Sequence, residues 1–447
     1  MIAKMPVNSA ALVAATRLGF AARPGDLAAI GRDPRGWALA QLARAAPPLA
    51  GDLPSAASMV VAEFEIRRDK RDDPEAKRAF NERVRTVYLA EIAARFAAAA
   101  GGDAPLVERL CHFWSNHFTV SILRPAVRGF AAAFEREAIR PHVTGRFHDM
   151  LVAVVRHPAM LLYLDNAVSI GPDSPVGRRR DKGLNENLGR ELLELHTLGV
   201  DGGYSQADVE ALARILTGWS VARPGEPDAG GFRFRPAMHE PGAKMLLGRR
   251  YDEAGYGEGE AALAALAAHP ATAHHVAFKL ARHFIADEPP RDSVERIART
   301  FLATGGDLGR VTAAVVTEEA LWRTPLAKLR TPEEMVIAAC RVTGFTPPAP
   351  MLAGSLRLLD QMPFFAPSPA GWPDTAADWI SPEAVLRRAE WCERFADRLP
   401  EPPDPAALAE SCFGETLPEE TAQAIRRAPS RRDGLALLLA SPDFQRR

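Results

Sequence analysis

The stretch 185-NENLGRELLELHTLG-199 decides how this chain is read. At about 100° per residue, Leu184, Leu188, Leu192 and Leu195 fall on one apolar seam, so the segment is a helix that packs against other helices. Glu186, Arg190 and Glu194 stand four apart on the far side, where Arg190 can pair with both acids on a solvated face. Glu191 and Asn187 border the seam, and no basic residue lies four positions from Glu191. A carboxyl half-buried there without a cation has its pKa raised, as a general acid requires. His196 lies on the other border and reads either as a core histidine or as a site residue.

The rest of the chain fits a helical protein. Of 447 residues, 47% are hydrophobic and 25% charged, a globular balance with ample chain for a core. The formal net charge of −1 gives no global sign of nucleic acid or an anionic membrane as partner. Cys111, Cys340, Cys392 and Cys412 are far apart with no CxxC pair, which argues against a cysteine-rich zinc site and a disulfide scaffold. No run of ~18 apolar residues suggests a membrane span, and the first residues lack the pattern of a cleaved leader.

Helical periodicity predicts one long helix over 74–100 ending at Gly101-Gly102, a more apolar one over 106–122, and two more broken near Pro158. "PVGRRRDKG" (175–183) reads as a basic loop. Ser205 with Asp208 forms a capping-box pattern opening a helix that continues through "TGWSV". Glycine and proline rise over 223–258, where "FRFRP" alternates, so a small β-hairpin or ordered-loop insertion is expected there. Helices resume at 259 and run to about 345, and 346–383 reads as an irregular Pro-rich segment. The fold class is mainly α: one large multi-helix domain over 1–445 with that small insertion.

Polar groups recur inside these apolar helices. "CHFWSNHFTVS" (111–121) is apolar nearly all round yet carries His112, Asn116 and His117, which need partners when buried. Either they tie helices together, or they line a pocket with Trp114 as an aromatic platform. HxxxxH is not the one-face spacing of a zinc helix. "RHPAMLLYLDN" offers Asp165, "MHEPGAKMLLG" offers His239 and Lys244, and "HHVAFKLARHF" puts His275, Lys279 and His283 on one face, within reach of the acids of the opening helix. No phosphate loop, nucleophile elbow or dinucleotide fingerprint is present.

"TRLGFAARPGD", "FWSNHFTVS", "RHPAMLLYLDN", "LNENLGRELLELHTLGVDGGYSQADVEALARILTGWS" and "GWPDTAADWISP" together resemble the bacterial family called domain of unknown function 1800, from about residue 10 to 445. The resemblance implies a mostly helical fold. It also implies genetic neighbourhood with the domain of unknown function 1501 family, whose members resemble exported, sulfatase-like proteins and are candidate partners. It brings no activity and no catalytic residue. The expected compartment is the cytoplasm, or export beside a signal-bearing partner.

Three functions follow from these residues. The first is a carboxylate acid/base hydrolase or lyase acting on a glycan, with Glu191 as general acid and Glu194, His112 and Asp165 as further catalytic candidates. Trp114, Asn116, His117, Asn187, Arg190, His239 and Lys244 are then candidates for substrate contacts, and Trp219 and Trp372 for sugar stacking. The second is a non-catalytic module that escorts a sulfatase-like partner. The third is a metal-dependent enzyme built from His112, His117, Glu191 and another histidine. No metal ligand set or cofactor is assigned.

Overall fold

A computed structural model describes residues 7–180 and 183–447. Among them are 23 α-helical segments and two small two-stranded sheets. Local sequence starts most helices. Asp73 caps Pro74–Gly101, accepting from the amides of Glu75 and Ala76. Reciprocal capping boxes open Gln206–Ile215 (Ser205 with Asp208) and Pro332–Thr343 (Thr331 with Glu334). His157 separates Phe147–Arg156 from Pro158–Tyr163. None of these helices is long and apolar enough to cross a membrane.

Several boundaries depart from the periodic reading. The helix expected over 106–122 is Pro105–His117. Beyond it lie β-branched Thr119, Val120 and Ile122, poor helix formers, and the Ile122 amide donates to the Phe364 carbonyl instead. The opening helix is Asn187–Glu191 followed by a π turn, Leu192–His196. The wider turn shifts the seam: Leu193 is fully buried, and Leu195 is only half-buried. Trp219–Val221 leaves the helical pattern and pairs antiparallel with Phe232–Phe234, and Lys244–Leu246 pairs with Arg249–Tyr251. The Pro-rich 346–383 contains a helix, Ala349–Leu358, whose proline sits in its first turn where no amide is lost. Within "PVGRRRDKG", Gly177–Arg180 is one helical turn. Residues 181–182 of that loop and 1–6 of the leader reading lie outside the described residues.

Two apolar clusters organise the packing. The larger holds the His112 helix (Pro105–His117), the Lys279 helix (Pro270–Phe284) and the buried leucines of the opening helix. The other gathers the C-terminal helices around Phe20, Phe96, Met335, Trp391 and Phe395. Buried arginines tie segments together at carbonyls that helix geometry leaves unpaired. Arg17 donates to Ile285 O at 2.8 Å, Arg341 to Ala100 O at 3.1 Å, and Arg330 to Phe20 O at 3.0 Å.

The loop 371–374 closes the space between the clusters. Asn116 grips it from both sides: Nδ2 donates to Trp372 O at 2.9 Å, and Oδ1 accepts from Trp372 N at 2.7 Å. Gly371 makes this approach possible, with φ of +83° and a position where a Cβ would lie 2.4 Å from Asn116 O. Gly371→Ala is therefore expected to lower unfolding free energy by on the order of 2 kcal/mol or more. Gly354→Ala, mid-helix with nothing within 4 Å of the new Cβ, should raise it by about 0.5–1 kcal/mol. Urea denaturation of both variants checks the pair, and equal effects would contradict it.

Candidate functional site

A cavity of about 780 Å³ lies where the two clusters meet, of the size that holds a small organic ligand. Its wall comes from the His112 helix, the Lys279 helix, the first turn of Pro332–Thr343, the end of the opening helix with Gly199–Gly202, and the segment 361–374. Val200, Asp201, His274 and Pro373 in this wall are exposed, so the cavity reaches solvent.

A continuous polar chain builds the inner wall. His283 Nδ1 donates to Asp374 Oδ2 at 2.6 Å. Arg109 Nη1 donates to His283 Nε2 at 3.3 Å, because a guanidinium has no acceptor to offer, so His283 is the neutral Nδ1–H tautomer. Arg109 also binds Glu334. Arg447 closes the ring, with Nη1 donating to His283 O at 2.8 Å and Nε lying 2.9 Å from Glu334 Oε2. Burial opposes ionisation of Asp374, yet His283, Lys328 and Arg447 hold its carboxyl well below the usual range. Burial likewise opposes Glu334, but Arg109 and Arg447 hold it down to about 2.

A second pair lies beside the first. His112 Nδ1 is 3.7 Å from Glu333 Oε2, and Arg95 pairs with both Glu333 and Glu135. Arg95 and His112 outweigh burial and hold Glu333 at about 2. His112 Nε2 is buried and meets no hydrogen-bond partner among the described residues.

Lys279 differs from the paired charges of the inner wall. Among the described residues its ammonium makes no hydrogen bond or ion pair. Burial, only partly offset by Asp374, lowers it to about 8. One turn before it, His275 donates from Nε2 to Leu195 O at 3.1 Å, and His117 Nε2 lies 3.1 Å from His196 O. Both contacts use carbonyls of the π turn, so the "CHFWSNHF" and "NENLGRELLELH" segments do pack together.

The other residues nominated by sequence are dispersed. Of the set, His112, Asn116 and His117 line the cavity. Glu191 and Glu194 do not. They are half-buried near Tyr163 and Tyr204, and burial followed by Glu194 raises the Glu191 pKa. Arg190 turns away to Glu186 at 2.9 Å and to Gln206, leaving Glu194 out of the expected ladder. Asn187 is exposed, and Asp165 pairs with Arg124. His239 and Lys244 form a separate buried network, with Glu258 3.2 Å from His239 and 2.8 Å from Lys244. Trp114 and Trp219 are core residues, stacked on Phe118 and Tyr256, so only Trp372 of the three tryptophans reaches the cavity. Of the stripe on the Lys279 helix, His283 meets Asp374 and His275 meets the Leu195 carbonyl, so neither pairs with the acids of the opening helix. Among the described residues no group of three or more His, Cys, Asp or Glu side chains is placed to hold a metal ion, so His112, His117 and Glu191 do not converge as ligands.

Sequence reasoning missed Arg95, Arg109, Glu333, Glu334, Asp374 and Arg447. The available signals were "TPEE" (331–334), an acid pair at a helix start, and the aspartate of "GWPD" (371–374).

Fold and site define a helical protein with a ligand-sized pocket that has a charged inner wall. The family model described as Protein of unknown function (DUF1800) matches residues 13–446, and the chain belongs to that family. No curated protein and no solved structure matches it.

Buried imidazoles set the acid sensitivity of this region. Burial lowers His117 well below 6.5, His196 to about 3 and His275 to about 4. The unfolded chain, titrating near 6.5, then binds more protons than the folded one, so stability falls as pH drops from 6.5 towards 4. Each such group contributes up to about 1.4 kcal/mol per pH unit. Urea unfolding at stepped pH should show this slope, and His196→Phe should make it shallower. An unchanged slope would contradict the assignment.

Proposed function

We propose that the cavity is the active site of a hydrolase or lyase that works on a glycan by general acid/base chemistry, with His112 as the acting base. The observation that carries this reading is the state of the His112 ring. Nδ1 faces the Glu333 carboxylate, which Arg95 fixes in its ionised form, and Nε2 is left without a protein partner. At 3.7 Å the carboxylate is beyond hydrogen-bond distance, but its charge favours the proton on Nδ1, which leaves Nε2 as a lone-pair base. Ser115 and Asn116 follow on the same helix and share the wall. Trp372 supplies an apolar face for a sugar ring and an indole N–H with no protein partner. Glu191 has the raised pKa of an acid, but it lacks a place in the cavity.

A second reading is a module that docks a sulfatase-like partner of the domain of unknown function 1501 family. Exposed Ile380, Val385 and Leu386, close in sequence, favour it. A polar centre open to solvent favours the enzyme.

The test is a glycan screen with the wild-type protein, followed by variants on any substrate that responds. His112→Asn should lower kcat by about 10²–10⁴-fold with melting temperature nearly unchanged. Glu333→Gln should lose less, and Glu191→Gln should match wild type. Full activity in His112→Asn, or its loss in Glu191→Gln, would overturn the assignment.

A further inference from the structure

The donors and acceptors of the cavity wall do not balance. The three inner carboxylates are all engaged: Glu333 by Arg95, Glu334 by Arg109 and Arg447, and Asp374 by His283, Lys328 and Arg447. Two imidazole nitrogens, His112 Nε2 and His117 Nδ1, are left without a partner among the described residues, and the other partnerless groups of the inner wall are donors. Lys279 has no hydrogen bond or ion pair among the described residues. Buried Arg109 Nη2 and Trp372 Nε1 also lack partners among the described residues. Lysine, arginine and tryptophan side chains can only donate, so none can satisfy another.

These groups line the same cavity and neighbour the His283–Asp374 pair along the chain or through it. Arg109 holds His283 Nε2 and Asp374 holds His283 Nδ1. Lys279 precedes His283 by one helical turn, and Trp372 precedes Asp374 by two residues. Arg282, also in the wall, has no carboxylate partner among the described residues; it donates to Asp287 O at 3.1 Å and covers the Phe278 ring. Lys279 is half-buried in a cavity that reaches solvent, so water answers its charge until a ligand of opposite charge displaces that water.

We infer that the ligand of this cavity carries an anionic, acceptor-rich group, a carboxylate or a phosphate, and that Lys279 is the residue that binds it. This rests on the reading of the cavity as a substrate site, and it specifies the substrate as an acidic one. A neutral sugar can accept hydrogen bonds from these donors but leaves the Lys279 charge without a counter-charge.

The experiment measures binding to the full chain by thermal shift and calorimetry at constant ionic strength. The probes are inorganic phosphate, D-glucuronate and D-glucose, with chloride as the background. A ligand that binds only the folded state raises melting temperature in a saturable way. Phosphate or D-glucuronate should do so, and D-glucose should not. A response to phosphate alone points to a phosphorylated substrate, and one to D-glucuronate alone to a carboxylate. Lys279→Met should weaken binding by about ten- to a hundredfold, as expected for loss of a charge-assisted hydrogen bond. Without anion it should melt no lower than wild type. Lys279→Arg keeps the charge and should keep a response, which guards against a folding defect in the first variant. The inference is overturned if neither anion acts beyond chloride, or if the response is the same in Lys279→Met. His112→Asn should bind the anion as wild type does. Loss of activity there with anion binding intact separates the two claims, as does anion binding by a protein that turns over no glycan.

Discussion

The 2.6 Å hydrogen bond between His283 and Asp374 lies where four parts of the chain meet. It anchors the 371–374 loop to the Lys279 helix. Through Arg109 and Glu334 it reaches the His112 helix and the start of Pro332–Thr343. Charge buried at such a junction is tolerable only when each group meets its complement. Asp374, Glu334 and Glu333 meet that condition, and the cavity exists because these pairs, with Asn116 gripping Trp372, hold its walls apart from one another and in place.

Against that satisfied frame, the few unsatisfied groups become informative. His112 Nε2 and the Lys279 ammonium sit in the same wall as fully compensated acids, so a shortage of local partners does not explain them. Glu191 makes the contrast. Its raised pKa follows from half-burial beside Glu194, a local effect of the helix surface. A shifted pKa marks a site only where geometry brings other polar groups to meet it.

The helical architecture was legible because 3.6-residue periodicity, proline at first turns and capping residues act over short range, as the long 74–101 helix and the Ser205 box show. The π turn at Leu192–His196 was not, since one wider turn leaves the leucine count unchanged while moving which leucine is buried. His112, Asn116, His117 and the stripe on the Lys279 helix were visible as polar groups on apolar helices. Their partners were not. Arg109 meets Glu334 across 225 residues and His283 meets Asp374 across 91, separations at which no periodicity links two positions. Asp374 lies in a Pro-rich segment whose composition reads as irregular, although its fixed contacts make it one of the more constrained parts of the site. Trp114 and Trp219 looked like sugar platforms because a sequence lists aromatic rings without saying which face the core.

The central claim is that this cavity is a binding site whose charge is completed by a ligand at Lys279. Anomalous diffraction from crystals soaked in selenate, which mimics an oxyanion and reports its own position, tests it most directly. The account predicts a selenium peak in the cavity within hydrogen-bond reach of Lys279 Nζ, absent in Lys279→Met. Selenate found only on the outer surface, with the cavity holding water alone at saturating selenate, would contradict it.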